Sequence, residues 1–222
     1  MKLVLLAAGK SSRIYKDIGF NKCLIKIKGK TLIQHIIDNA ISNGIKDIVV
    51  VVGFNPKKII ENLKNYKNIK FVRNKKFGTT DMVYSAFLAL KNIKSDVIIS
   101  YTDIYYDKSL FSSLKKIDYK NITIPYVEDW IKVWKLRKKS IIGDAETFYK
   151  NKNNFLIEIG RKLTKKNFKS VKGQFMGIIF LPKNSIQNLR NHYLYKNKKK
   201  KIQFTEFINN LIKSNFKIKC KK

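Results

Sequence analysis

Apolar residues recur along the chain in two alternating rhythms. Leu3-Val4-Leu5-Leu6 is a short continuous apolar run bounded by small residues, the pattern of a buried strand. From Thr31 to Asn43, Leu32, Ile33, Ile36, Ile37, Ala40 and Ile41 keep helical spacing, with Thr31 placed to cap the start and Gly44 to end it. Asp47 to Val52 is a continuous β-branched run, which predicts a strand covered on both faces. Pro56 then opens a helix through Leu63, Ile69 to Val72 reads as a strand, Thr79 to Leu90 as a helix and Asp96 to Ser100 as a further buried strand. Asp107 is placed as the N-cap of a helix from Lys108 to Leu114, Glu206 opens the last helix, and Phe216 to Cys220 is a final strand suited to a sheet edge.

Strand, helix and strand in alternation predict an α/β fold in three layers with a mainly parallel central sheet. In such sheets ligands sit at the carboxyl ends of the strands, where the winding order reverses. The loops after Leu6 and Ser100 are therefore the expected site.

The 222 residues, 44% of them hydrophobic, suit one core and one domain over 1–222. No apolar run has the length of a membrane span, and Met1-Lys2 followed directly by the strand leaves no room for a secretion signal, so a cytoplasmic protein is expected. Cys23 and Cys220 have neither zinc nor disulfide spacing and read as reduced thiols. The net charge of +33 is carried almost wholly by Lys, with Arg only at 13, 73, 137, 161 and 190. It is spread through every segment, unlike the Arg forks and interleaved aromatics of a nucleic-acid groove, so no specific nucleic-acid partner is expected. The dense run Lys196 to Lys201 reads as a solvated loop. His35 and His192 fall on helices without evident partners, and neither is assigned a catalytic role.

Behind the first strand, Ala7-Ala8-Gly9-Lys10-Ser11-Ser12-Arg13 is small, basic and hydroxyl-bearing. Amides with no side chain in front of them approach an anion closely, so this is a phosphate loop. It is not a Walker A loop, because Val4 stands five residues before the Gly-Lys-Ser, nor a dinucleotide fingerprint, because Ser11 and Ile14 stand where glycines are required. Leu-Ala-Ala-Gly-x-x-x-Arg, followed by Lys22-Cys23-Leu24 and Ile27-Lys28-Gly29-Lys30-Thr31-Leu32-Ile33, resembles the amino-terminal signature of the nucleotidyltransferases that make sugar nucleotides and their relatives. Asn21 departs from the family's usual Pro.

The resemblance implies a Rossmann-like nucleotidyltransferase fold with a CTP-binding half, 1–120, and an acceptor-binding half, 121–222. Arg13 and Lys22 match the triphosphate-binding basic residues. Leu6, Ala7, Ala8, Gly9, Lys10 and Ser11 would cradle CTP. Asp103, three residues past a buried strand, resembles the Mg²⁺-binding Asp of the family, with Glu206 as second ligand and Asp144 or Glu146 as alternatives. Gly78, Thr80 and Asp81 resemble the region that contacts base and ribose, although relatives tend to carry Asn at the position of Asp81.

The second half holds a concentration of acids, Glu128, Asp129, Asp144, Glu146 and Glu158, in a chain with only fifteen, and both tryptophans. Two readings fit: a pocket for an ammonium group, or ion pairs with Lys132, Lys135 and Arg137. Asp129-Trp130, Trp134, Arg137, Asp144-Ala145-Glu146 and Gly173-Gln174-Phe175 resemble the carboxyl half of the cytidylyltransferases acting on phosphocholine, 2-aminoethylphosphonate and phosphorylated glutamine. That implies Mg²⁺-dependent transfer of CMP to a small zwitterion, with Asp129, Trp130, Trp134, Arg137, Glu146 and Gln174 at the acceptor. The alternatives are a sugar-1-phosphate nucleotidyltransferase using UTP or another nucleotide and, remotely, a basic nucleic-acid-binding module. The oligomeric state stays open, a homodimer included.

Overall fold

The computed structural model describes residues 1–11, 15–136, 140–196 and 201–222, apart from the side chains of Tyr15 and Lys196. In chain order the elements are β1 (Lys2–Ala7), α1 (Tyr15–Ile18), a 3₁₀ turn (Lys22–Leu24), β2 (Lys26–Ile27), β3 (Lys30–Thr31), α2 (Leu32–Ser42), β4 (Asp47–Val52), α3 (Pro56–Asn62), β5 (Ile69–Arg73), α4 (Met82–Leu90), β6 (Val97–Tyr101) and α5 (Ser109–Leu114). There follow β7 (Ile122–Val127), α6 (Trp130–Lys135), α7 (Ile141–Asp144), β8 (Glu146–Lys150), β9 (Leu156–Lys162), β10 (Gln174–Phe175), β11 (Ile178–Leu181), α8 (Ile186–Lys196), α9 (Phe204–Lys213) and β12 (Ile218–Lys221).

Eight strands of the described residues form one sheet, ordered β10-β7-β11-β6-β1-β4-β5, with β12 joined to β7. β6, β1, β4 and β5 pair in parallel, and β11 runs antiparallel to β6. Because side chains alternate across a strand, β1 feeds two cores. Val4 and Leu6 pack with Val83, Ala86 and Leu90 of α4 and Phe207, Ile208 and Leu211 of α9. Leu3 and Leu5 pack on the opposite face with Ile33, Ile36 and Ile37 of α2, Ile59 of α3 and Phe111 of α5. The three layers follow from that alternation.

Local chemistry sets the element ends. Thr31 caps α2 through a reciprocal box with Gln34. Lys28 and Gly29, at φ of 48° and 81°, make the two-residue turn between β2 and β3, where positive φ suits the strand twist. α4 begins at Met82 rather than Thr79, because the Asp81 carboxylate accepts the Val83 N–H at 3.1 Å and fixes the start there. Likewise α5 begins at Ser109, since Asp107 Oδ1 accepts the Ser109 N–H at 2.8 Å and its hydroxyl at 2.6 Å. These bonds also hold the Asp107 carboxyl below its ordinary value. The last strand starts at Ile218, two residues later than expected, and runs parallel to β7. No helix of the described residues is long and apolar enough to cross a membrane.

Candidate functional site

β1 lies between β6 and β4, with Leu6 opposite Tyr101 and Ala7 opposite Val52. The chain moves outward from β1 through β4 to β5, then returns across β1 to β6, so the winding reverses between β1 and β6 and their following loops diverge. A cleft of about 310 Å³ opens at that point. Leu6, Ala7, Gly9 and Ser11 line it from the first loop, Tyr101, Thr102 and Asp103 from the second, and Asn21, Lys22 and Cys23 from the 3₁₀ turn.

Lys22 Nζ stands 3.4 Å from Asp103 Oδ2, with side chains 23% and 40% exposed, so both ends remain open to a ligand. The backbone N–H of Lys22 donates to Ser11 Oγ at 2.9 Å, and Thr102 Oγ1 donates to the Leu6 carbonyl at 3.0 Å, stitching the three segments together. Gly53 admits a close approach from below: a Cβ there would lie 2.6 Å from the Ala8 carbonyl oxygen and 2.7 Å from Phe77 Cβ. Burial, then the Asp103 charge, push the Cys23 thiol up to about 12, so it stays a neutral wall of the cleft.

A second chamber of about 340 Å³ shares Leu6, Gly9 and Met82 with the first. Ala8, Lys10, Gly78, Thr80 and Asp81 wall it, so the nine residues expected around CTP all line one chamber or the other. Asn74, 1% exposed, organises the floor by donating to Thr80 Oγ1 at 3.1 Å and Ser85 Oγ at 3.0 Å. Burial raises the Asp81 carboxyl, against bonds from the Val83, Ile202 and Tyr84 backbone, and Glu206 adds to the rise. Lys201 also lines this chamber, although the sequence places it in a solvated run. The lysine-rich composition hides it, since nothing in the run marks its last residue.

Residues 3–153 match the model of the MobA-like NTP transferase domain. The chain belongs to that family. It is 33% identical over 187 residues to the CTP:phosphoglutamine cytidylyltransferase of Campylobacter jejuni subsp. jejuni serotype O:2, covering 80% of this chain and 72% of that one. It is 32% identical over 165 residues to the bifunctional protein GlmU of Methanococcus maripaludis strain C7, covering 73% of this chain but only 36% of the relative, about a third of its length. The solved CTP:phosphocholine cytidylyltransferase of Streptococcus pneumoniae superposes with a TM-score of 0.72 over 99% of this chain and 88% of that one, at 16% identity, a likeness of fold.

In this MobA-like transferase the expected acceptor residues divide. Glu146 and Gln174 come together: Gln174, 5% exposed, donates from Nε2 to the Glu146 carbonyl at 2.5 Å and accepts the Glu146 N–H at 3.4 Å. Burial raises the Glu146 carboxyl, while a bond from Thr205 opposes the rise. Burial, then the charges of Glu146 and Asp103, hold the phenol of Tyr101 protonated at the wall of the cleft. Sequence reasoning missed Tyr101, though it stands two residues before Asp103.

The others fall elsewhere. Trp130 is 2% exposed and Trp134 9%, and Trp130 meets Trp134 edge-on at 6.1 Å and Phe168 at 5.5 Å. Both belong to the core under α4 and α9, because α6 turns its apolar side inward after β7. Asp129 pairs with Lys132 at 3.1 Å on the surface and lines a different cavity with Glu128. Glu128 pairs with Lys222, and Glu158 with Arg161 at 3.0 Å, so these two acids form ion pairs with partners other than the expected Lys132, Lys135 and Arg137. His35, expected without a partner, has Nε2 2.7 Å from the Ile27 carbonyl, and His192 packs against Phe207 and Phe216. Arg13, Arg137 and most of the Lys196 to Lys201 run lie outside the described residues.

Proposed function

We propose that this nucleotidyltransferase moves a cytidylyl group from CTP to a small phosphate- or phosphonate-bearing zwitterion, with Mg²⁺, and releases pyrophosphate. One observation carries the reading: Lys22 faces Asp103 above a phosphate loop at the winding reversal between β1 and β6. CTP as donor is supported by the name of the phosphoglutamine relative.

In this scheme an acceptor oxygen forms a bond to the α-phosphorus as the bond to pyrophosphate breaks. The attacking oxygen is already anionic, so no general base is needed. That suits a cleft whose Cys23 is protonated. Lys22 and the Gly9 to Ser11 amides would offset charge on the phosphates as it shifts toward the leaving group. Among the described residues no three His, Cys, Asp or Glu gather as a metal cage. Mg²⁺ does not require one, since it takes one or two carboxylates and draws its other ligands from phosphates and water. Asp103 would hold it, with Glu206 as second carboxylate, and the ion would supply neutralisation of phosphate charge. Glu146, held by Gln174, would receive the ammonium group of the acceptor.

A second reading, transfer to a neutral sugar 1-phosphate, gains from the burial of both tryptophans and the surface pairing of Asp129, which remove most of the cationic pocket. Pyrophosphate release decides between them. CTP, UTP and ATP would each be offered with phosphocholine, 2-aminoethylphosphonate, phosphorylated amino acids and hexose 1-phosphates. Turnover of CTP with one zwitterion is expected; turnover of UTP with a hexose phosphate and silence of the zwitterions would establish the second reading.

A further inference from the structure

Asn21 is 2% exposed and sits at the N-cap of the 3₁₀ turn that carries Lys22. An Asn in that position ordinarily turns back and accepts an N–H of its own turn. Here its side chain makes no such bond. Its Nδ2 reaches out instead, donating to the Gly9 carbonyl at 3.3 Å and to the Phe54 carbonyl at 3.0 Å. Two carbonyl partners fix the amide orientation, because the flipped rotamer would set Oδ1 against both oxygens. Oδ1 is then buried without a hydrogen-bond partner among the described residues. The side chain is arranged for the bridge it makes and not for its own satisfaction.

The bridge joins three segments distant in sequence: the phosphate loop, the turn bearing Lys22 and the loop after β4. Two further bonds run alongside it, from Phe54 N–H to the Ala8 carbonyl at 3.1 Å and from Lys22 N–H to Ser11 Oγ at 2.9 Å. We infer that Asn21 is the positioning residue that locks the phosphate loop to the loop after β4, so that the loop amides and Lys22 meet the nucleotide as one preorganised body. The inference rests on reading that loop as the triphosphate cradle. A proline at this position, as in the family the sequence resembles, stiffens the turn but reaches neither carbonyl.

The test compares wild type with Asn21→Ala and the shape-matched Asn21→Asp, which serves if the Ala variant does not fold. Both should lose about 10- to 100-fold in kcat/KM for the nucleotide, carried by its KM and leaving the acceptor KM in place. Amide hydrogen exchange of Lys22 and Phe54, whose N–H groups are bonded alongside the bridge, should accelerate in both, with exchange in β1 and β4 unchanged. Wild-type kcat/KM in both variants, or accelerated exchange spread evenly over the sheet, would overturn the assignment. Exchange reads the lock without turnover, so silence of the wild type toward every nucleotide would sink the proposed function and leave this test standing.

Discussion

The loops that follow β1 and β6 and the corner that follows β7 are both rich in residues with chemistry to offer, and the fold treats them in opposite ways. In the first region the strands give way to loops of small and polar residues, Gly9 and Ser11 after β1 and Thr102 and Asp103 after β6. Their side chains and amides collect in a cleft, with Lys22 left 23% exposed beside Asp103. In the second, two large aromatics follow a strand directly, and burial of their area decides where they go. Trp130 lies 2% exposed between Trp134 and Phe168, while Asp129 next to it is turned outward to Lys132. Adjacent residues can thus belong to a core and to a solvated pair, and neighbourhood in sequence does not make a pocket.

The largest effect that would separate the two regions is at Trp130. Trp130→Ala should cost about 3–5 kcal/mol of stability, read as a lowered denaturation midpoint, while the remaining folded enzyme keeps its acceptor KM. A stable variant that fails only with ammonium-bearing acceptors would return the ring to the site. Next is Lys22→Ala, expected to lower kcat on the order of 10²–10³-fold, about 2.7–4 kcal/mol in the barrier, with an unchanged melting temperature. Nearly normal turnover would remove Lys22 from the chemistry and with it the contrast.

How far the sequence reveals this arrangement depends on what each signal measures. The helix of Leu32 to Ser42 and the strand of Asp47 to Val52 are legible because apolar periodicity reports burial directly, and their bounds differ from expectation by a residue at most. The two chambers at the winding reversal are legible because the loop that lines them is an unbroken run of small residues, which a sequence displays. The expected acceptor residues are not. Rarity of acids and tryptophans says that they matter, and both cores and pockets use tryptophan. The pairing of Glu146 with Gln174 is invisible in the sequence, because Gln174 lies 28 residues after it and on a different strand.

Glu146 offers a smaller effect with a sign that burial dictates. Its carboxyl is raised above the ordinary 4.5, so the folded chain holds that proton more tightly than the unfolded chain does. Stability from this group is therefore full at low pH and falls as pH rises through 4.5 and beyond. Glu146→Gln should melt higher than wild type at neutral pH, and the gap should close in acid. The same variant should raise the KM of a zwitterionic acceptor about tenfold, roughly one lost ion-paired hydrogen bond, with the CTP KM unmoved. A gap that persists in acid would mean that desolvation of the carboxylate is not its cause.

The smallest effect is expected at Asp129, and it tests the comparison most sharply. The carboxylate is 73% exposed and its partner Lys132 81%, at 3.1 Å, so solvent screens the pair and its worth is about 0.5 kcal/mol or less. Asp129→Asn should leave the melting temperature within about 1 °C and turnover of every acceptor unchanged. The result is informative because Asp129 is covalently next to a tryptophan and carries the charge an ammonium group would seek. A tenfold loss confined to acceptors with that group would show that the corner after β7 swings toward the cleft when substrate binds, and the two regions would then form one site.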